Sequence, residues 1–173
     1  YKRQPGVSTY DQKPSMSAEE VADAVVGAIS KGRYAFIVVN FANGDMVGHT
    51  AKRDAVIEAV ETLDREASRV IEAADTAGYS VVVTADHGNC EELIDPFTGE
   101  PHTQHTTYPV PCLVLDEANW HLSSTGGLAN VAATVLQLMG IAPAASMTTS
   151  LLLRKLPGKR SEERHHPKKL RVA

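Results

Sequence analysis

The sequence predicts an α/β protein built on a parallel sheet. Three observations point there: long apolar stripes at helical spacing, short continuous runs of β-branched residues, and their alternation in the order strand, helix, strand. With 173 residues and 43% hydrophobic content, the chain can bury one core of ordinary size.

Taken in order, Ser17 and Glu20 have the spacing of a capping box. Val21, Val25 and Ile29 follow at helical intervals, which predicts a helix over 18–31 closed by Gly32. Residues 34–41, "YAFIVVNF", form an apolar run of strand length, as expected of a strand buried on both faces. A second helix is predicted over 53–76, where Val56, Ala59, Val60, Leu63, Ala67, Val70, Ile71 and Ala74 make the apolar stripe; Gly78 closes it. The run "YSVVVTA" completes a βαβ unit, which implies a right-handed crossover between parallel strands. Turn chemistry at 95–101, "DPFTGEP", separates it from a third strand, "PCLVLD", at 111–116. A last helix is predicted over 128–139, with Gly140 and Pro143 as stop signals.

Composition excludes several classes. The apolar runs are too short to span a bilayer. Cys90 and Cys112 have no second pair, which argues against a disulfide framework or a thiolate zinc site and favours a reducing, cytoplasmic setting. From Arg154 onward eight Lys/Arg face two Glu, so the tail carries +6 and the preceding residues −10. Residues 154–173 therefore read as a solvated, flexible tail rather than a nucleic-acid-binding one, with 1–153 as the folded body. The polar opening from Tyr1 has no apolar signal region, and it predicts further sequence upstream.

Three segments carry the chemistry, each just after a predicted strand. In open α/β sheets the ligand crevice lies beyond the carboxyl ends of the strands, so distant segments meet there. In "NFANGDMVGHT", Asp45 and His49 are four apart, and one helical turn places both on one face. In "TADHGN", Asp86 and His87 are adjacent at a strand end, where they can face two neighbouring metals. "PHTQHTTYPVP" supplies His102 and His105, one of which is expected to be a ligand. Carboxylate and imidazole donors without thiolate favour Mn²⁺ or Zn²⁺, with Mn²⁺ better suited where phosphate oxygens are also bound. A pair of such ions about 4 Å apart suits phosphoryl transfer.

Each motif alone has a plainer reading. Asp45 and His49 suit a helix N-terminus with a surface histidine, Asp86 and His87 a cap for a helix starting at Asn89, and His102 and His105 an ordinary loop. His121, beside Trp120 in a polar stretch, reads as structural or exposed. Together, at three strand ends and flanked by glycines, the groups point to a shared metal site.

"NGDMVGHT", "TADHGN" and "HTTYPVP" resemble, in order and spacing, the signature segments of cofactor-independent phosphoglycerate mutase, in the alkaline phosphatase superfamily. "STYDQKPSMSAEEV" is similar to the segment where that enzyme's chain re-enters its phosphatase domain, and "GGLANVAATVLQLMGIAPAASMT" to its C-terminal helix and loop. The resemblance implies an alkaline-phosphatase-like three-layer sandwich, of which this is the C-terminal part. It implies that Asp45, His49 and His105 bind one manganese, while Asp86 and His87 give half the ligands of a second. It also implies a phosphoserine route between 3- and 2-phosphoglycerate, with the nucleophilic serine and the arginine-bearing phosphotransferase domain upstream, and a monomeric full-length enzyme. "SMTTSLL" lacks the family's Gly-Lys, and Ala132 replaces a usual proline. Two alternatives stand beside this reading: another phosphatase, phosphodiesterase or phosphopentomutase of the superfamily, or a non-catalytic chain, either a metal-stabilised module or a truncated chain that self-associates through an uncovered sheet face.

Overall fold

The structure, a computed structural model, describes residues 6–155. Its elements in chain order are α1 (Ala18–Ser30), α2 (Asn43–Gly48), α3 (Arg53–Thr76), β1 (Val81–Thr84), β2 (Cys112–Leu115), β3 (Trp120–Leu122), α4 (Val131–Leu138) and β4 (Leu152–Lys155). The fold is a mixed α/β one, and the long helices lie where the apolar periodicity places them.

Helix ends follow local chemistry. After α3, Gly78 takes a left-handed φ of 75°, and Tyr79 N–H returns to the carbonyl of Ala74 at 2.9 Å. Gly140 does the same after α4, where Ile141 N–H reaches Leu136 O. The capping box at α1 does not form. Ser17 stands at the N-cap position but makes no side-chain cap bond, because its ψ of 30° departs from the extended backbone that aims a cap oxygen at the first turn.

Helices α1 and α3 pack on each other, with Ala22 and Ile29 of α1 and Ala74 of α3 buried. The buried face of α3 departs from the expected stripe: Val60 is exposed, whereas Thr62 and Glu66 are buried. An isolated carboxylate at that depth is costly, so its partners decide whether it is tolerated. Arg65 Nε donates to Glu66 Oε1 at 3.0 Å and Arg69 Nη1 to Oε2 at 2.5 Å, while Arg69 Nη2 reaches across to Asp23 of α1.

Expectation and structure part company at the strands. Residues 34–41 form no strand and join no ladder among the described residues, and Tyr34, Phe36 and Val38 are exposed. The anticipated parallel pairing with β1 is therefore not formed. Instead β1 pairs antiparallel with β2, Val81 opposite Leu115 and Thr84 opposite Cys112, because the chain between them loops back from one end of β1. A second antiparallel ladder, β3 with β4, was not expected from sequence. It pairs His121 with Arg154 and Trp120 with Lys155, and the remainder of the basic tail, 156–173, lies outside the described residues.

The core that matters for function sits beneath α2. Met16, Val47, Val56 and Ala59 form a buried cluster, edged by Tyr10, Ala42, Met46, Ala55, Cys90 and Leu93. Asn43, 2% exposed, donates from Nδ2 to the carbonyls of Pro14 and Ser15 and so ties the start of α2 to the turn before α1. With Asn43 and Val47 facing inward four residues apart, the helix turns Asp45 and His49 to its other side. Met16→Ala is expected to cost about 2–3 kcal/mol in denaturant unfolding through the cavity it opens under α2. An unchanged midpoint would show that this cluster does not hold the helix.

Candidate metal centre

Three segments deliver side chains to one place. Asp45 comes from α2 and His49 from its C-terminal cap, still in helical conformation. Asp86 and His87 follow β1, and His105 lies in the long return from β1 to β2. The return is pinned to the β1 loop by an isolated bridge between Gly88 and Thr106, with Thr106 N–H on Gly88 O at 3.0 Å.

The convergence is tight. His49 Nε2 lies 3.0 Å from Asp45 Oδ1, and His105 Nε2 lies 3.0 Å from the same oxygen and 3.2 Å from His49 Nε2. These atoms all fall within 4.8 Å of one another. His87 stacks on His105 with ring centroids 3.7 Å apart, and its Nε2 stands 3.9 Å from Asp45 Oδ1 and 3.7 Å from Asp86 Oδ1. The Asp86 side chain is 70% exposed.

Whether these groups suit a cation can be judged from the donors. His49 Nδ1 donates to the carbonyl of Thr103 at 2.7 Å, which fixes the tautomer and leaves the Nε2 lone pair facing Asp45 and His105. Donors about 2.1 Å from a common octahedral or tetrahedral ion stand roughly 3.0–3.4 Å apart, which matches the trio. A carboxylate oxygen and two imidazole nitrogens crowded this closely repel one another unless positive charge sits among them. The group fits a divalent ion.

Neighbouring residues brace the trio. Asn89, 5% exposed, donates from Nδ2 to Asp45 Oδ1 at 3.1 Å and to Asp45 O at 3.3 Å. Cys90 Sγ–H donates to Gly44 O; burial, followed by the charges of Glu91 and Asp45, pushes this thiol up and keeps it protonated. Glu91 accepts from the Asn89 N–H at 2.8 Å and from the Thr106 hydroxyl, and so joins the segments that carry His87 and His105. Burial pushes Glu91 up, yet the bonds from Thr106, its own N–H and Asn89, with the charge of His102, outweigh it and hold the carboxyl below its ordinary 4.5.

Of the residues singled out from sequence, Asp45, His49 and His105 meet, His87 lies against them and Asp86 at their edge. His102 stays apart: its N–H bonds Leu93 O, and its charge acts on Glu91 and Asp95. The helix that was the plainer alternative at Asn89 does not form; the chain turns there instead. His121 is an exposed residue of β3.

A model of the Metalloenzyme superfamily matches residues 3–143. The chain belongs to that superfamily. Within the Metalloenzyme superfamily its relatives include the 2,3-bisphosphoglycerate-independent phosphoglycerate mutase of Rhodopirellula baltica, 54% identical over 144 residues, which are 82% of this chain and 26% of that protein. The enzyme of the same name from Pseudomonas putida is 48% identical over 150 residues, covering 86% of this chain and 29% of its own. This metalloenzyme chain thus spans less than a third of the length of the curated relatives it matches. Among solved structures, a Leishmania mexicana phosphoglycerate mutase crystallised at low cobalt concentration superposes with a TM-score of 0.77 at 32% identity, over 86% of this chain and 30% of that one.

The depressed Glu91 carboxyl gives a pH dependence of known sign. A group whose folded-state pKa is lowered contributes stability that is full above its ordinary value and is lost as pH falls through the folded one. Acidification below about pH 4.5 should therefore loosen the contact between the 87–91 and 105–106 segments, read as faster amide exchange at Thr106 relative to α3. Glu91→Gln should flatten that dependence, and an unaltered profile would remove Glu91 from the link.

Proposed function

We propose that this chain supplies the divalent-metal part of a phosphoglycerate mutase, the isomerase that interconverts 3-phosphoglycerate and 2-phosphoglycerate, in the cytoplasm. The observation that carries the reading is the meeting of Asp45, His49 and His105, with ligand atoms within 4.8 Å, in a chain whose relatives bear that name. Asp45, His49 and His105 hold one ion, and Asp86 and His87 contribute half the ligands of a second. Carboxylate and imidazole donors beside a phosphorylated substrate favour Mn²⁺, with Zn²⁺ the competing ion. When bound, such an ion withdraws charge from a phosphoryl oxygen and lowers the barrier to its transfer.

The chain's own residues do the positioning. Thr103 O holds His49 as the Nδ1–H tautomer, Asn89 faces the Asp45 carboxylate, and His87 lies flat on His105. Ser80, at the end of β1 away from Asp86 and His87, donates to Asp116, and Ser123 donates to the Thr125 carbonyl. The serine that accepts phosphate is accordingly assigned to sequence beyond this chain, and the chain by itself is inactive on phosphoglycerate.

Calorimetry with Mn²⁺ is expected to give one tight site and one weak site. His49→Ala should weaken the tight site by more than the roughly 10–100-fold typical of losing an outer partner, and His102→Ala should change it little. Two equal tight sites, or a larger loss from His102→Ala, would contradict the ligand assignment. On the Mn²⁺-loaded chain the phosphorus resonance of 3-phosphoglycerate should broaden by approach to the paramagnetic ion. A sharp line in the presence of bound Mn²⁺ would reject the substrate.

A further inference from the structure

We infer that Asn89 is a positioning residue for the metal ligand Asp45, and that Gly48 is a glycine because it makes the slot in which the Asn89 carboxamide lies. The inference rests on the metal reading above and adds residues to it. Its starting point is the bonding of the Asn89 side chain. Nδ2 donates to two atoms of the same residue, Asp45 Oδ1 at 3.1 Å and Asp45 O at 3.3 Å. Both partners are acceptors, so the amide cannot turn over without setting oxygen against oxygen. The carboxylate oxygen held by Asn89 is also the one that faces His49 Nε2 and His105 Nε2 at 3.0 Å. A single donor on a nearly buried side chain thereby fixes the rotation of the carboxylate at the centre of the trio.

The other end of the amide explains the slot. Asn89 Oδ1 is buried and has no hydrogen-bond partner among the described residues, and it points at Gly48. A Cβ built on Gly48 would overlap Oδ1 and the amide carbon. Gly48 carries no left-handed φ, so its backbone accepts alanine readily; the three atoms nearest the added Cβ all belong to the Asn89 side chain. Gly44, one helical turn earlier on the same side of α2, faces the next residue, but with room to spare. Cys90 Sγ lies 3.6 Å from where a Gly44 Cβ would be and donates to Gly44 O at 2.9 Å. The dipeptide Asn89–Cys90 thus docks on a glycine face of the helix that carries Asp45. An orphaned oxygen at this depth is unfavourable, and it persists because the nitrogen of the same amide is committed to Asp45.

The test is a double-mutant cycle on the full chain, with Mn²⁺ affinity by calorimetry and the visible absorption of bound Co²⁺ as readouts. Asn89→Ala should weaken the tight Mn²⁺ site about 10–100-fold and alter the Co²⁺ band, because Asp45 loses its orienting donor. Gly48→Ala should weaken it comparably, although alanine favours the helix, by expelling the Asn89 side chain. In the Asn89→Ala background Gly48→Ala should cost nothing further, since the oxygen it strikes is gone. Additive losses would overturn the slot, and a lowered melting temperature with unchanged Mn²⁺ affinity and Co²⁺ spectrum would reduce Asn89 to a packing residue. A wild-type chain that takes up no Mn²⁺ would overturn the metal reading and this inference with it, a result distinct from either of the others.

Discussion

The organisation of this molecule turns on one carboxylate oxygen. Asp45 Oδ1 lies within 3.1 Å of His49, His105 and Asn89, three residues from three separate stretches of chain. Close approach of two imidazole nitrogens to a carboxylate demands either protons or a cation between them, and each segment must be rigid enough to hold its donor there. The surroundings meet the second requirement: α2 is fastened at its start by Asn43 and underneath by Val47, the β1 loop rests on the glycines of α2, and the β1–β2 return is tied down at Thr106.

Local structure was readable in the sequence wherever it depends on near neighbours. The long helix α3 begins and ends where its stripe and Gly78 put it, since helix formation and termination are settled within a few residues. Pairing of strands is a non-local matter. The run at 34–41 has every strand signal, yet its partner cannot be inferred from its own letters, and β1 takes β2 instead. Glu66 escaped for a related reason: only the arrival of Arg69, itself bonded to Asp23 of α1, makes a charge acceptable on the inner face.

The site shows the same division. Asp45 and His49 stand one helical turn apart, and His105 opens a recognisable motif, so side chains that act through their own chemistry were visible. The residues that hold them were not. Asn89 was read within a motif but not as a brace, and the carbonyl of Thr103 carries no signature at all, because every residue has one. Gly48 was legible only as a flanking glycine; its purpose emerges when the volume that a methyl group would occupy is found to be taken by another side chain.

The bond from His49 to Thr103 O has a broader meaning. Thr103 lies two residues before His105, so a single short stretch furnishes one imidazole directly and sets the proton position of another. Displacing that stretch would take His105 out of the cluster and, in the same motion, free the His49 ring proton from Nδ1. The positions of both imidazoles are therefore tied to this one loop, whose movement disturbs the place of one ring and the proton of the other.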